Sequence, residues 1–181
     1  FRTKKDAELT RKLYRAAPVL VNEVMDANPW DVSFLRMFDM TNDSHLFRTR
    51  KDLEDNGFEL CSNRFQKRDE IYLPLFEGKL TQIYDHRFGT FAEVPNEETI
   101  KGTQRFVTNE EHQSDKSISI PRFWVNQLDF SLALHQVKSQ SFWLTFHGIA
   151  NPNNERTFIA TMCPATALGN SLPAVIDLKS L

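Results

Sequence analysis

The sequence predicts an α+β fold, a mixed or antiparallel β-sheet with an N-terminal helix and a few flanking helices. Three observations carry that expectation. Apolar residues recur at helical spacing near the start, at Ala7, Leu9, Leu13, Ala16 and Ala17. Short runs rich in Phe, Leu, Val and Ile, punctuated by Gly, Pro, Asn and Asp, fill most of the remaining chain and read as strands. No internal repeat, low-complexity tract or linker divides the 181 residues, a length that suits one domain. The expected organisation is therefore a helical lead-in over 1–17 and a single domain over 18–181.

Each element has its own signal. Thr3 and Asp6 fit a capping box, so a helix over 4–17 begins there and ends at Pro18. Pro-Val-Leu-Val-Asn over 18–22 reads as a short buried strand, Asn28-Pro29 as a turn, and 32–40 as a second strand rich in Phe, Leu and Met. Thr-Asn-Asp-Ser over 41–44 is cap-like, and a helix over 45–56 comes next, stopped by Gly57 in a left-handed conformation. Strands at 58–60, 64–66 and 71–76 form a meander, with Arg68-Asp69-Glu70 as a turn and Glu77-Gly78 closing the unit. The stretch 88–113 is polar, with charged turns at 95–98 and 109–111 and one strand at 103–107. Residues 117–125 alternate like a half-exposed strand, with Trp124 in the core. A helix over 126–135 presents Leu128, Leu132 and either Phe130 or Leu134 to the core. Strands at 142–149 and 157–163 form a hairpin around the turn Asn-Pro-Asn-Asn at 151–154.

Composition narrows the function classes. The chain is 40% hydrophobic and 25% charged with 15 Phe, so it has the bulk for a packed core. No stretch approaches the roughly 20 apolar residues that cross a bilayer, and no membrane partner is expected. All six glycines are isolated, which leaves no phosphate-cradling loop. Cys61 and Cys163 have no CxxC spacing and are expected to be free, buried thiols in a reducing, cytoplasmic setting. The first residues are charged and carry no signal peptide, and the absence of Met before Met25 predicts a piece of a longer polypeptide. Net charge is -2, although residues 1–15 hold six basic side chains against two acidic ones, a solvated helix surface or a basic face.

Catalytic motifs are missing. His45, His86, His112, His135 and His147 occur in no zinc-binding spacing, no GxSxG elbow is present, and neither cysteine has a nearby histidine. Asp39 and Asp43 sit where turn and cap residues belong. The expectation is a noncatalytic region with no metal and no cofactor of its own.

One segment stands out as a whole, YLPLFEGKLTQIYDHRF over 72–88. It resembles the "lpLyEGKmihqfdHR" stretch that follows the catalytic domain in adenine-N6 DNA methyltransferases of restriction-modification systems, especially the large type II enzymes that fuse methylase and specificity functions. FRTKKDAELT over 1–10 resembles the family's "fRtrrDaelt", and FDMTNDSHLFRTR over 38–50 its "fDMtnDShlFrtr". PRFWV over 121–125 resembles "PrYWV", and NERTFIA over 154–160, with Pro164, resembles "tnERTviaailP". The blocks stand in family order over most of the chain. The sequence departs from the family at Phe146-His-Gly-Ile149, where the family has "fRdI".

The resemblance implies a target-recognition region that binds double-stranded DNA and joins the methylase catalytic domain of the same polypeptide. That parent would take S-adenosylmethionine as cofactor. Asn28-Pro29-Trp30 and Asn151-Pro152-Asn153 lack the second proline and the aromatic that would clamp a flipped adenine, so the catalytic motif belongs to the preceding domain. Candidate DNA-binding residues are Lys79, His86, Arg87, Arg122, Asn154 and Arg156. Lys79, His86 and Arg87 come after a glycine turn and could meet phosphate, or could pair with Glu77 and Asp85. Arg122 could face phosphate while Phe123 packs inward. Asn154 and Arg156 lie at a hairpin tip, where Asn matches adenine and Arg forks onto guanine, unless Glu155 and Arg156 form a salt bridge. The alternative is a structural or protein-interaction module of the same large enzyme, which the net charge of -2 favours.

Overall fold

A computed structural model describes residues 3–135, 137, 140–151 and 153–177; the expectations touching Phe1, Arg2 and Pro152 lie outside the described residues. The fold is α+β, and the chain divides into two compact units, one holding the described residues up to Ser33 with 176–177, the other Phe34–Val175.

In the first unit, α1 (Lys4–Ala16) starts at the expected capping box, with the Asp6 amide on Thr3 Oγ1 at 3.1 Å and the Thr3 amide on Asp6 Oδ2 at 3.0 Å. The expected strand at 18–22 is absent. Asn22 and Ala27 pair instead as an isolated bridge, and Asn22 Oδ1 accepts the Met25 amide, so a local turn takes the backbone groups a strand would have used. Strand β1 (Val32–Leu35) is shorter than the expected 32–40. Beyond it, Asp39 accepts the amides of Thr41 and Asn42 while Asp43 accepts that of Asp39, which ties 39–43 into a turn.

The expected helix over 45–56 is in fact a 3₁₀ turn (Ser44–Leu46), strand β2 (Phe47–Thr49) and helix α2 (Arg50–Asp55). Pairing of Phe47 with Val125 overrides helical propensity, and a second capping box, Thr49 with Asp52, restarts the helix. Gly57, at φ +75°, closes α2 as expected, with the Phe58 amide on Leu53 O and the Gly57 amide on Glu54 O. The meander continues the chain as β3 (Glu59–Cys61), β4 (Arg64–Lys67) and β5 (Glu70–Phe76), antiparallel throughout. Pro74 is tolerated inside β5 because pairing with β4 ends at Tyr72, so the missing amide has no ladder bond to make on that side.

After β6 (Gly89–Thr90), the two charged turns expected at 95–98 and 109–111 are short helices, α3 (Asn96–Lys101) and α4 (Asn109–Gln113), flanking β7 (Arg105–Phe106). Their acidic first turns, Glu97-Glu98 and Glu110-Glu111, suit helix N-termini. The strand expected over 117–125 is regular only as β8 (Phe123–Asn126), because Ser119 and Ile120 bond to the backbone and Thr90 hydroxyl of 89–91 instead. At α5 (Gln127–Ala133) and its C-cap Leu134, the expected Phe130 and Leu134 are half-buried, whereas Leu128 and Leu132, also expected inward and about 200° round the helix from them, are exposed.

The hairpin expected at 142–163 is present as β9 (Phe142–Phe146) and β10 (Ala160–Pro164), succeeded by β11 (Ala167–Leu168) and β12 (Ala174–Asp177). Strand β9 has antiparallel neighbours on both sides, β10 and β12. The larger sheet runs β2-β8-β5-β4-β3, and β11 lies parallel to the end of β5. Around Leu53, Phe65 and Trp124 a core cluster forms, with the Phe65 and Trp124 rings edge-on at 4.9 Å and the Trp124 indole donating to Asn63 O. Cys61 is free and exposed, contrary to the expected burial; Cys163 is free and buried, and desolvation pushes its thiol up to about 11. Among the described residues no helix is long and apolar enough to cross a membrane.

Candidate nucleic-acid interface

The six candidate residues fall into three separate groups. The first forms where β5 ends. Its chain turns at Gly78–Leu80, leaving Glu77 buried at 4% exposure. Arg122, at the entry to β8, reaches the Glu77 carboxylate with two parallel bonds of 2.7 Å from Nε and Nη2, a forked geometry that satisfies both oxygens. The same guanidinium lies over the Phe123 ring at 4.8 Å. Lys79 Nζ donates to Gly102 O at 2.8 Å. Gly102 closes α3 at φ +78°, a conformation that favours glycine, and a Cβ there would displace the tips of Lys79 and Arg122, whose Nζ and Nη1 lie 2.7 and 2.9 Å from its position. Burial first, then the neighbouring Arg122, outweighs Glu77 and holds the Lys79 ammonium below its ordinary range. The two cations thus converge and are engaged inside the chain.

Arg87 and His86 form a second group with Asp85 and His112. Arg87 donates to three carbonyls, those of Ser114, Ser117 and His112, at 2.9–3.1 Å, and so clasps the end of α4 and the segment after it. His112 spans Asp85 Oδ2 and Thr108 O at 3.0 and 2.9 Å. His86 is half-buried, and desolvation, reinforced by Arg87, pushes its pKa down.

The third group is open to solvent. Asn154, Glu155 and Arg156 are exposed and border a hollow of about 280 Å³ together with Gln82, Ile83 and Ile159. Asn154 closes the expected turn through its amide on Asn151 O at 2.9 Å. No Glu155–Arg156 salt bridge forms, and the Arg156 guanidinium has no partner among the described residues. Tyr84, next in sequence to Ile83 of this hollow, has φ +59° and is 90% exposed, its amide on Ala160 O at 3.0 Å. That conformation belongs to the tight turn closed by the Gln82–Asp85 backbone pair. Sequence reasoning passes over Tyr84; its one signal is an aromatic between the polar residues of a turn.

His147 fastens to Thr81, its Nε2 at 3.1 Å from both the hydroxyl and the carbonyl oxygen. Burial lowers its pKa as well.

Comparison with protein-family models, curated proteins and solved structures finds no match. Among the described residues no three His, Cys, Asp or Glu side chains converge as a metal site.

Proposed function

We propose that the chain is the noncatalytic target-recognition region of a site-specific adenine-N6 DNA methyltransferase of a restriction-modification system, cytoplasmic, with S-adenosylmethionine bound by a catalytic domain elsewhere in the parent polypeptide. One observation carries the reading: four of the sequence blocks that resemble that family, those at 38–50, 72–88, 121–125 and 154–160, are neighbours in space. Strands from three of them lie side by side as β2, β8 and β5, the Glu77–Arg122 pair joins two, and the Tyr84–Ala160 hydrogen bond joins the YLPLFEGKLTQIYDHRF block to the NERTFIA block.

The DNA-facing surface is the open group. Tyr84 supplies a face for stacking, Asn154 an amide that matches adenine, and Arg156 a planar fork for guanine or a phosphate pair. Lys79, Arg87 and Arg122 act on DNA through the scaffold they hold. With Arg156 the one uncommitted guanidinium or ammonium among the candidate residues, duplex binding is expected to be weak and salt-dependent, on the order of 10⁻⁴ to 10⁻⁶ M.

The second reading, an interaction module of the same enzyme, draws on the net charge of -2 and the internal use of three candidate cations. Fluorescence anisotropy with a labelled duplex at low and moderate salt separates the two. Binding that weakens with salt and with Arg156→Ala, in a variant of unchanged melting temperature, supports DNA recognition; no binding at low salt favours the module.

A further inference from the structure

The β9–β10 hairpin is apolar on both faces, which a sheet covering a single core does not require. Its inner face carries Trp143, Thr145, Thr161 and Cys163, all buried. The outer face is set by the register: Phe142 opposite Pro164, Leu144 opposite Met162, and Phe146 opposite Ala160, with Val175 of β12 beside Leu144. Phe34 meets the Phe146 ring edge-on at 5.5 Å, and Phe158 stacks on it at 5.8 Å, so the patch is continuous. Phe34, Phe142, Leu144, Phe158 and Met162 are each 44–65% exposed.

We propose that two copies of this chain stack through this face, related by a two-fold axis. Three features select a second copy. First, the side chains named on this patch, Phe34, Phe142, Leu144, Phe146, Phe158, Met162 and Val175, are all uncharged, so their self-contact brings no like charges together, and Phe and Met enrichment is the composition of interface centres. Second, the five side chains expose about 500 Å² between them, and two such patches bury about 1,000 Å², the threshold for a specific if modest interface. A single apolar patch of that size is at the upper end for a monomer surface. Third, paired strands offer a regular surface that packs on its own copy at the roughly 10 Å spacing of stacked sheets.

The test is the mass of the full chain by sedimentation equilibrium from roughly 1 to 200 μM, with micromolar self-association expected from an interface of this size. Leu144→Lys and Met162→Lys, at exposed positions of the hairpin, should each weaken association at least tenfold. Leu128→Lys, at an exposed apolar position on α5, should leave it unchanged. Far-UV and near-UV circular dichroism establishes that each variant is folded. A chain that stays monomeric at every concentration overturns the proposal. A dimer indifferent to both hairpin variants, provided they fold, overturns it equally, and if neither folds, Leu144→Ser and Met162→Ser are read by the same criterion. Because DNA is absent throughout, the outcome is independent of the proposed recognition role.

Discussion

A buried carboxylate with one partner makes Arg122 a stability residue. Removing a single member of such a pair strands the other charge, so Arg122→Ala should cost about 3 to 5 kcal/mol in urea unfolding. Glu77→Leu combined with Arg122→Met replaces both ends with apolar groups and should recover most of that loss. If the double variant is no more stable than Arg122→Ala, the pair is not what holds this corner. The thiols make a second contrast at this scale. Cys61 is exposed, whereas Cys163 is buried with its thiol raised to about 11 and in contact with the Thr145 hydroxyl. A thiol-specific reagent should therefore modify one cysteine rapidly in the native chain and the second only on unfolding.

Among the elements, α4 has the clearest pH signature. Glu111 accepts two hydrogen bonds from Arg105 and one from the Thr108 amide, which holds its carboxyl at about 2, below its ordinary 4.5. Because the folded value is the lower one, the stabilisation is fully present above pH 4.5 and is lost as the pH falls from there toward 2. Thermal melts between pH 6 and 3 should show a steeper decline for the wild type than for Glu111→Gln, and parallel declines would remove Glu111 from the account. The pattern behind this cap is present in the sequence. Thr3 with Asp6, Thr49 with Asp52 and Thr108 with Glu111 share one spacing, and only the first is legible as a helix start, because α2 and α4 are too short to show apolar periodicity. The meander and the β9–β10 hairpin are legible because alternation and turn chemistry agree there. The 18–22 strand fails because an apolar run carries no information about which backbone groups a neighbouring Asn side chain will take.

Across the whole molecule, legibility of the candidate site divides by sequence distance. The exposed tip at Asn154 and Arg156 is readable from local signals. The fate of Lys79, Arg87 and Arg122 is hidden, since their partners lie 23 to 45 residues away and only the fold brings them together. Two substitutions compare the classes. Lys79→Ala should lower the melting temperature, because the Gly102 carbonyl loses its donor, and should affect DNA binding no more than the stability change accounts for. Arg156→Ala should leave the melting temperature within a degree or so and, in the full-length enzyme, cost about 1 to 3 kcal/mol of discrimination at one base pair. Methylation across a library of site variants reads the second effect, and unchanged site preference would sink Arg156 as a reader.

The last strands bear on when the larger sheet is completed. Thr166 donates its hydroxyl to Pro74 O across 92 residues, and β11 then pairs with Leu75 and Phe76. During synthesis the β3–β4–β5 meander can assemble long before those residues leave the ribosome, so the end of β5 waits with an open edge, the kind of surface on which nascent chains aggregate. Closure by so distant a segment belongs late in folding. Thr166→Val should accordingly accelerate unfolding while leaving the refolding rate nearly unchanged, which stopped-flow measurement of both chevron limbs would resolve.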